Sequence, residues 1–123
     1  MARIQLNVDD NEFKAKVVQH ILANDAGRAL ELLAEHYDTI TPRLEVGLPK
    51  GHAGAVGCYE PRKRTIYTRD SDGLSNPFLI IHEFYHHIRT VDGKQMGTEK
   101  LADKFAWSFL DAYRRQTASS AST

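Results

Sequence analysis

Within residues 76–91, His82-Glu83-Phe84-Tyr85-His86 joins the side-chain type that best holds a divalent ion to the type that best takes a proton from water. A helix turns about 100° per residue, so His82 and His86 lie about 40° apart and one turn along the axis, and both imidazoles can reach one ion. Glu83 falls beside them. It can reach a water on that ion but is badly placed to be a third ligand. Thirteen residues past His86, Glu99 and Asp103 stand one turn apart at the start of a second helical pattern, so a helix crossing the first can present either acid to the same ion. The longer arm of Glu99 suits that reach. Two imidazoles and one carboxylate leave the fourth tetrahedral position of zinc open, which is the catalytic pattern rather than the closed structural one. Amide hydrolysis is its natural use: zinc lowers the pKa of its water to about 7 and polarises a carbonyl, while Glu83 carries the proton from water to the leaving nitrogen.

Such a site needs rigid supports, and the apolar spacing predicts them. Asn76 is a good N-cap and Pro77 suits the first helical position, where its missing N–H is no loss. Ile80, Ile81, Phe84, Ile88 and Val91 form the arc opposite the histidines, which should seat the helix in a core. Leu101, Ala102, Phe105, Ala106, Phe109 and Tyr113 make the stripe of the Glu99 helix. Upstream, Ile4, Leu6 and Val8 alternate as in a strand that Asp9-Asp10-Asn11 interrupts. Phe13, Val17, Val18, Ile21 and Leu22 repeat at helical spacing, with Asn24-Asp25 ending that helix and capping one whose stripe is Ala26, Ala29, Leu30, Leu33, Ala34 and Tyr37. Leu44, Val46 and Leu48 alternate again. Residues 55–60 and 64–69 read as a hairpin, with Pro61 at the second position of a type I turn. The expectation is α+β in the order βααβββαα, a short mixed sheet on the HExxH helix and the ExxxD helix, in a single domain over residues 1–115. Residues 116–123 lack periodicity and are expected to form a flexible tail.

Composition narrows the function classes. A chain of 123 residues, 41% hydrophobic, can bury one core and hardly two. Sixteen basic and sixteen acidic residues cancel, so overall charge gives no reason to expect nucleic acid or an anionic membrane as partner. No run approaches the roughly 18 apolar residues of a membrane span, and no secretory leader opens the chain, so a cytoplasmic protein is expected. The lone Cys58 fits a reducing compartment and excludes Cys-rich zinc modules.

With HExxH followed by ExxxD, the chain resembles the gluzincin branch of zinc metallopeptidases. Gly57-Cys58-Tyr59, Thr65-Ile66-Tyr67-Thr68, the stretch 80–87 and the stretch 99–106 are similar to the ImmA/IrrE-type peptidases, and the short chain resembles the minimal archaeal gluzincins called minigluzincins. The likeness covers roughly residues 54 to 110. It implies a zincin-like fold, one zinc ion held by His82, His86 and Glu99, Glu83 as general base, and Asp103 as the acceptor that orients a ligand imidazole. It also implies a peptide or protein substrate and a cleft that a terminal segment can cover, as in a zymogen. The bulky Phe84-Tyr85 pair departs from the ImmA pattern and bears on cleft width. A non-catalytic module that keeps the zinc for stability is the competing reading, and a nucleic-acid-associated protease in the manner of SprT-like proteins is a third. His52, Tyr59, Tyr67 and Tyr85 are all candidates for stabilising an oxyanion. Cys58 is expected to be a packed strand residue rather than an inhibitory thiolate, His87 a partly buried or capping residue, and His20 and His36 ordinary surface histidines. Arg62, Lys63, Arg64 and Arg69 could touch phosphates, but a solvated hairpin tip explains them more simply.

Overall fold

The computed structural model describes residues 7–91 and 97–121. Helices α1 (Asn7–Leu22) and α2 (Ala26–His36) precede strands β1 (Arg43–Val46), β2 (Gly57–Glu60) and β3 (Thr65–Thr68), a 3-10 turn at Ser71–Ser75, and helices α3 (Pro77–Val91) and α4 (Glu99–Ala121). It is a mixed α+β fold. Of the strand expected over residues 4–8, residues 4–6 lie outside the described residues, while Asn7 and Val8 already belong to α1. The acids read as an interruption are instead its first turn, where negative charge suits a helix N-terminus, and Asp10 pairs with Lys14 at 3.3 Å one turn on.

Past Leu22, the last residue of α1, Asn24 adopts a left-handed φ of 64°, with the Asp25 N–H reaching the His20 carbonyl at 2.9 Å and the Asn24 N–H that of Ile21 at 3.0 Å. Asp25 stands at the N-cap of α2 but makes no side-chain cap. Its carboxylate faces His20 instead, at 3.2 Å. Val17, Val18 and Ile21 from α1 and Ala29, Leu30 and Leu33 from α2 are fully buried, whereas Leu22 is half exposed, because it lies at the edge of the stripe one residue past Ile21.

The three strands lie in the order β1-β3-β2, with β1 parallel and β2 antiparallel to β3. Both Leu44 and Tyr59 stand opposite Ile66, so the central strand alone is buried along its whole length. In the hairpin the Arg64 N–H reaches the Pro61 carbonyl at 3.2 Å. Pro61 thus opens the turn rather than holding its second position, and Arg64 closes it in the left-handed region at φ 49°.

Helix α3 runs through the middle. Asn76 Oδ1 accepts from the Leu79 N–H at 3.2 Å, so the cap is where the residue types put it. Ile80, Ile81 and Phe84 are fully buried and join Tyr59, Ile66, Ala106 and Phe109 in one core, while Ile88 packs at its edge. At position 57 a Cβ would stand 2.7 Å from Leu79 Cδ1, so a glycine is what lets β2 close onto α3. Helix α4 buries Ala102, Ala106, Phe109 and Ala112, and Leu101 is half exposed, one residue off that stripe. It also continues through Ala121, past the Gln116 where the stripe gives out.

One buried polar contact ties α3 to the sheet. His87 is fully buried; its Nε2–H donates to the Ile40 carbonyl at 2.8 Å, and its Nδ1 accepts from the Tyr59 hydroxyl at 2.7 Å. Burial holds the imidazole below its usual range, a backbone hydrogen bond partly opposes this, and Arg64 adds to it. Burial also pushes the Tyr59 hydroxyl up to about 12. Replacing Tyr59 by Phe leaves the His87 Nδ1 unpaired and is expected to cost about 1–3 kcal/mol in urea unfolding. The pH dependence has a fixed sign. Below about 6.5 the unfolded imidazole takes a proton that the folded one resists, so stability falls as pH drops through that value. His36, also lowered by burial, contributes in the same direction. His87→Gln should flatten this slope in a series of unfolding curves, and an unchanged slope would refute the assignment.

Candidate metal centre

His82 and His86 project from one face of α3 toward the first turns of α4. His86 is almost fully buried, with 3% of its side chain exposed, and His82 has 12%. Thr98 caps α4, its Oγ1 accepting from the Leu101 N–H at 3.1 Å, so Glu99 is the first residue of that helix. Gly97 sets the approach: at φ 82° it lies under Tyr85, where a Cβ would meet the ring at 2.7 Å.

The single carboxylate of Glu99 faces both histidines, Oε1 at 2.8 Å from His82 Nε2 and Oε2 at 3.1 Å from His86 Nε2. The ligand atoms of His82, His86 and Glu99 all lie within 4.8 Å of one another. On the far side of the His82 ring, Nδ1 stands 2.9 Å from Asp103 Oδ1. A neutral imidazole that gives its proton to Asp103 turns a lone pair from Nε2 toward Glu99. A lone pair facing a carboxylate at 2.8 Å is repulsive unless a proton or a cation lies between them. Zinc bonds of about 2.0–2.1 Å set neighbouring tetrahedral donors about 3.3 Å apart, against 2.8 Å and 3.1 Å from the Glu99 oxygens to the two imidazole nitrogens. His82, His86 and Glu99 could therefore hold a metal ion. Glu99 itself is 78% exposed, and an exposed ion pair alone holds little.

Glu83 is 7% exposed, and among the described residues its carboxylate accepts no hydrogen bond from the protein. Desolvation raises its pKa, the neighbouring His82 and His86 pull it back, and Glu99 pushes it up again. Aromatic rings wall the histidines: Phe78 is 5.9 Å from His82, Tyr85 is 5.8 Å from His86, and Trp107 packs edge-on against Phe78 at 5.2 Å. Sequence reasoning passed over Phe78, although its place one turn before His82 on the same face was the available signal.

Of the four oxyanion candidates, Tyr59 is committed to His87, Tyr67 is buried in β3, and His52 is exposed on its loop, which leaves Tyr85 beside His86. Cys58 is half-buried and not among the converging ligand atoms; burial pushes its thiol up, and Glu83 and Glu60 add to the effect. His36 does more than decorate the surface, stacking on Phe13 at 3.9 Å. No family model, curated protein or solved structure matches the chain.

Removing a donor and removing its support have different expected outcomes. His82→Ala should lose stoichiometric zinc. Asp103→Asn, which keeps the donor set and weakens its orientation, should keep one zinc per chain at about 10–100-fold lower affinity, measured by competition with a chromogenic chelator. Equal affinities for Asp103→Asn and the parent chain would show that Asp103 does not orient His82.

Proposed function

We propose that this chain is a zinc-dependent endopeptidase of the gluzincin type, with His82, His86 and Glu99 as ligands and Glu83 as general base. One observation carries the reading: the Glu83 carboxylate, 7% exposed and accepting no protein hydrogen bond among the described residues, stands next to two imidazoles and a second carboxylate that converge on one point. A zinc ion held there supplies a water of pKa near 7 and a Lewis acid for a substrate carbonyl.

The remaining work falls to the chain. Glu83 takes the proton as the water oxygen bonds to the carbonyl carbon, and returns it to the nitrogen as the carbon–nitrogen bond breaks. Its raised pKa suits both halves, because a base with a pKa nearer the working pH is also a better acid in the return step. Asp103 keeps the His82 proton on Nδ1 and so leaves Nε2 as the donor. Phe78 and Tyr85 keep the surroundings apolar, which strengthens every charge interaction within. Strand β2 is an edge of the sheet beside α3, and its outer backbone groups can pair with an extended peptide of loosely specified sequence.

Glu83→Gln is the discriminating variant. Cleavage of an unfolded protein by the zinc-loaded chain should fall by about 10²–10⁴-fold, with zinc content unchanged. A raised carboxylate pKa means that the ionised form is the costly one in the folded state, so removing the charge should leave the thermal midpoint at pH 7 equal or higher. Undiminished cleavage by the variant, or none by the zinc-loaded parent, would refute the peptidase reading.

A further inference from the structure

Outside the residues of the metal centre, a cavity of about 370 Å³ opens between the start of β1 and the tip of the hairpin, lined by Ile40, Thr41, Arg43, Arg62, Lys63 and Arg64. Four of these six residues are cations and none is an acid. Among the described residues, no carboxylate lies within 4.0 Å of any of the four, although the chain as a whole carries no net charge. The neighbouring Glu60 carboxylate is turned to the Arg62 backbone N–H, at 3.2 Å. Arg69, grouped with the hairpin cations by sequence, faces Asp70 at 3.6 Å and lines no part of the cavity.

The backbone beneath these cations is held from several sides. The Arg43 N–H donates to the Arg64 carbonyl at 2.9 Å, joining β1 to the hairpin end. Thr65 Oγ1 donates to the Lys63 carbonyl at 2.8 Å, and the Ile40 carbonyl accepts from the buried His87. Like charges gathered on a fixed frame repel one another and gain most from an occupant that carries at least two negative charges. Guanidinium forks match the paired oxygens of a phosphate, and a threonine hydroxyl adds a neutral donor. The volume lies at the small end of ligand sites, enough for a phosphate with a short organic body.

We propose that this cavity binds a phosphate dianion, free or as a small phosphomonoester. The site is separate from the His82, His86 and Glu99 centre and does not depend on the reaction assigned there.

The test is a titration of the isotope-labelled full chain followed by amide NMR, with a neutral chelator present so that no anion can sit on a metal ion. Inorganic phosphate and glycerol phosphate are added at constant ionic strength. Saturable shifts grouped at residues 40–43 and 61–64 are expected, and Arg43→Gln with Lys63→Gln should weaken binding by at least about tenfold. Arg64 is left in place because of its left-handed backbone, and Arg69→Gln should change nothing. Tighter binding of glycerol phosphate assigns the site to an ester; tighter binding of inorganic phosphate assigns it to the free ion. Shifts that grow without saturating, that chloride reproduces, or that survive the double substitution overturn the proposal. So does a short DNA duplex that moves the same amides while both phosphates leave them in place.

Discussion

The rotation of α3 about its own axis decides which of its histidines face the cleft, and a buried hydrogen-bonded imidazole holds that rotation. His82 and His86 share one face, and His87 lies about 100° from His86. Apolar packing of Ile80, Ile81 and Phe84 favours the observed orientation without singling it out, since hydrophobic contact is non-directional. His87 supplies the direction. Its two ring nitrogens meet the Ile40 carbonyl, just ahead of β1, and the Tyr59 hydroxyl on β2, so the helix is pegged toward both edges of the sheet. A turn of α3 in either sense would leave a desolvated nitrogen unpaired, at a cost of about 1–3 kcal/mol for each lost partner.

The third donor comes from a separate element with a different mechanical character. Helix α4 packs on α3 and α1 with fully buried alanines at 102 and 106, which add little bulk, and Ala106 shares one core with Phe84 and Phe109. Gly97 and Thr98 then fix where the first turn of α4 begins, which sets the height of Glu99 relative to the imidazoles. The two nitrogens are therefore pre-positioned on a packed helix, whereas the carboxylate is exposed at a helix N-terminus, where its charge is favoured but its side chain is free to adjust. A centre built this way can close on an ion by moving one side chain.

How much of this was legible depended on whether the signal was local. The N-cap at Asn76, the apolar arc of α3, the stripe of α2 and the His82/His86 pair follow from spacing on single helices, and the structure has these features and brings Glu99 of α4 to the pair. The start of α1 at Asn7 was obscured because Val8 continues the alternation of Ile4 and Leu6, which lie outside the described residues, and so looks like the end of a strand. Leu22 and Leu101 were assigned inward by hydrophobicity, although each lies one residue off its buried stripe. The partners of His87 could not be read, since Ile40 and Tyr59 are 47 and 28 residues away in the chain. The cavity at the hairpin was missed for the same reason: Arg43 belongs to another strand and joins the basic hairpin tip only through parallel pairing of β1 with β3.

The burial of Glu83 links these parts. A carboxylate without a protein hydrogen bond in a desolvated place costs stability, and a neutral residue there would serve folding better. Strand β2 packs beside α3, and the charge of Glu83 helps push the Cys58 thiol up. That packing depends on Gly57, because any side chain there would collide with Leu79 and with the Tyr67 carbonyl. The missing Cβ at position 57 thus lets the sheet close on the helix that carries Glu83, whose burial lifts its pKa. Burial raises the Glu83 pKa, the neighbouring imidazoles of His82 and His86 lower it, and Glu99 raises it again.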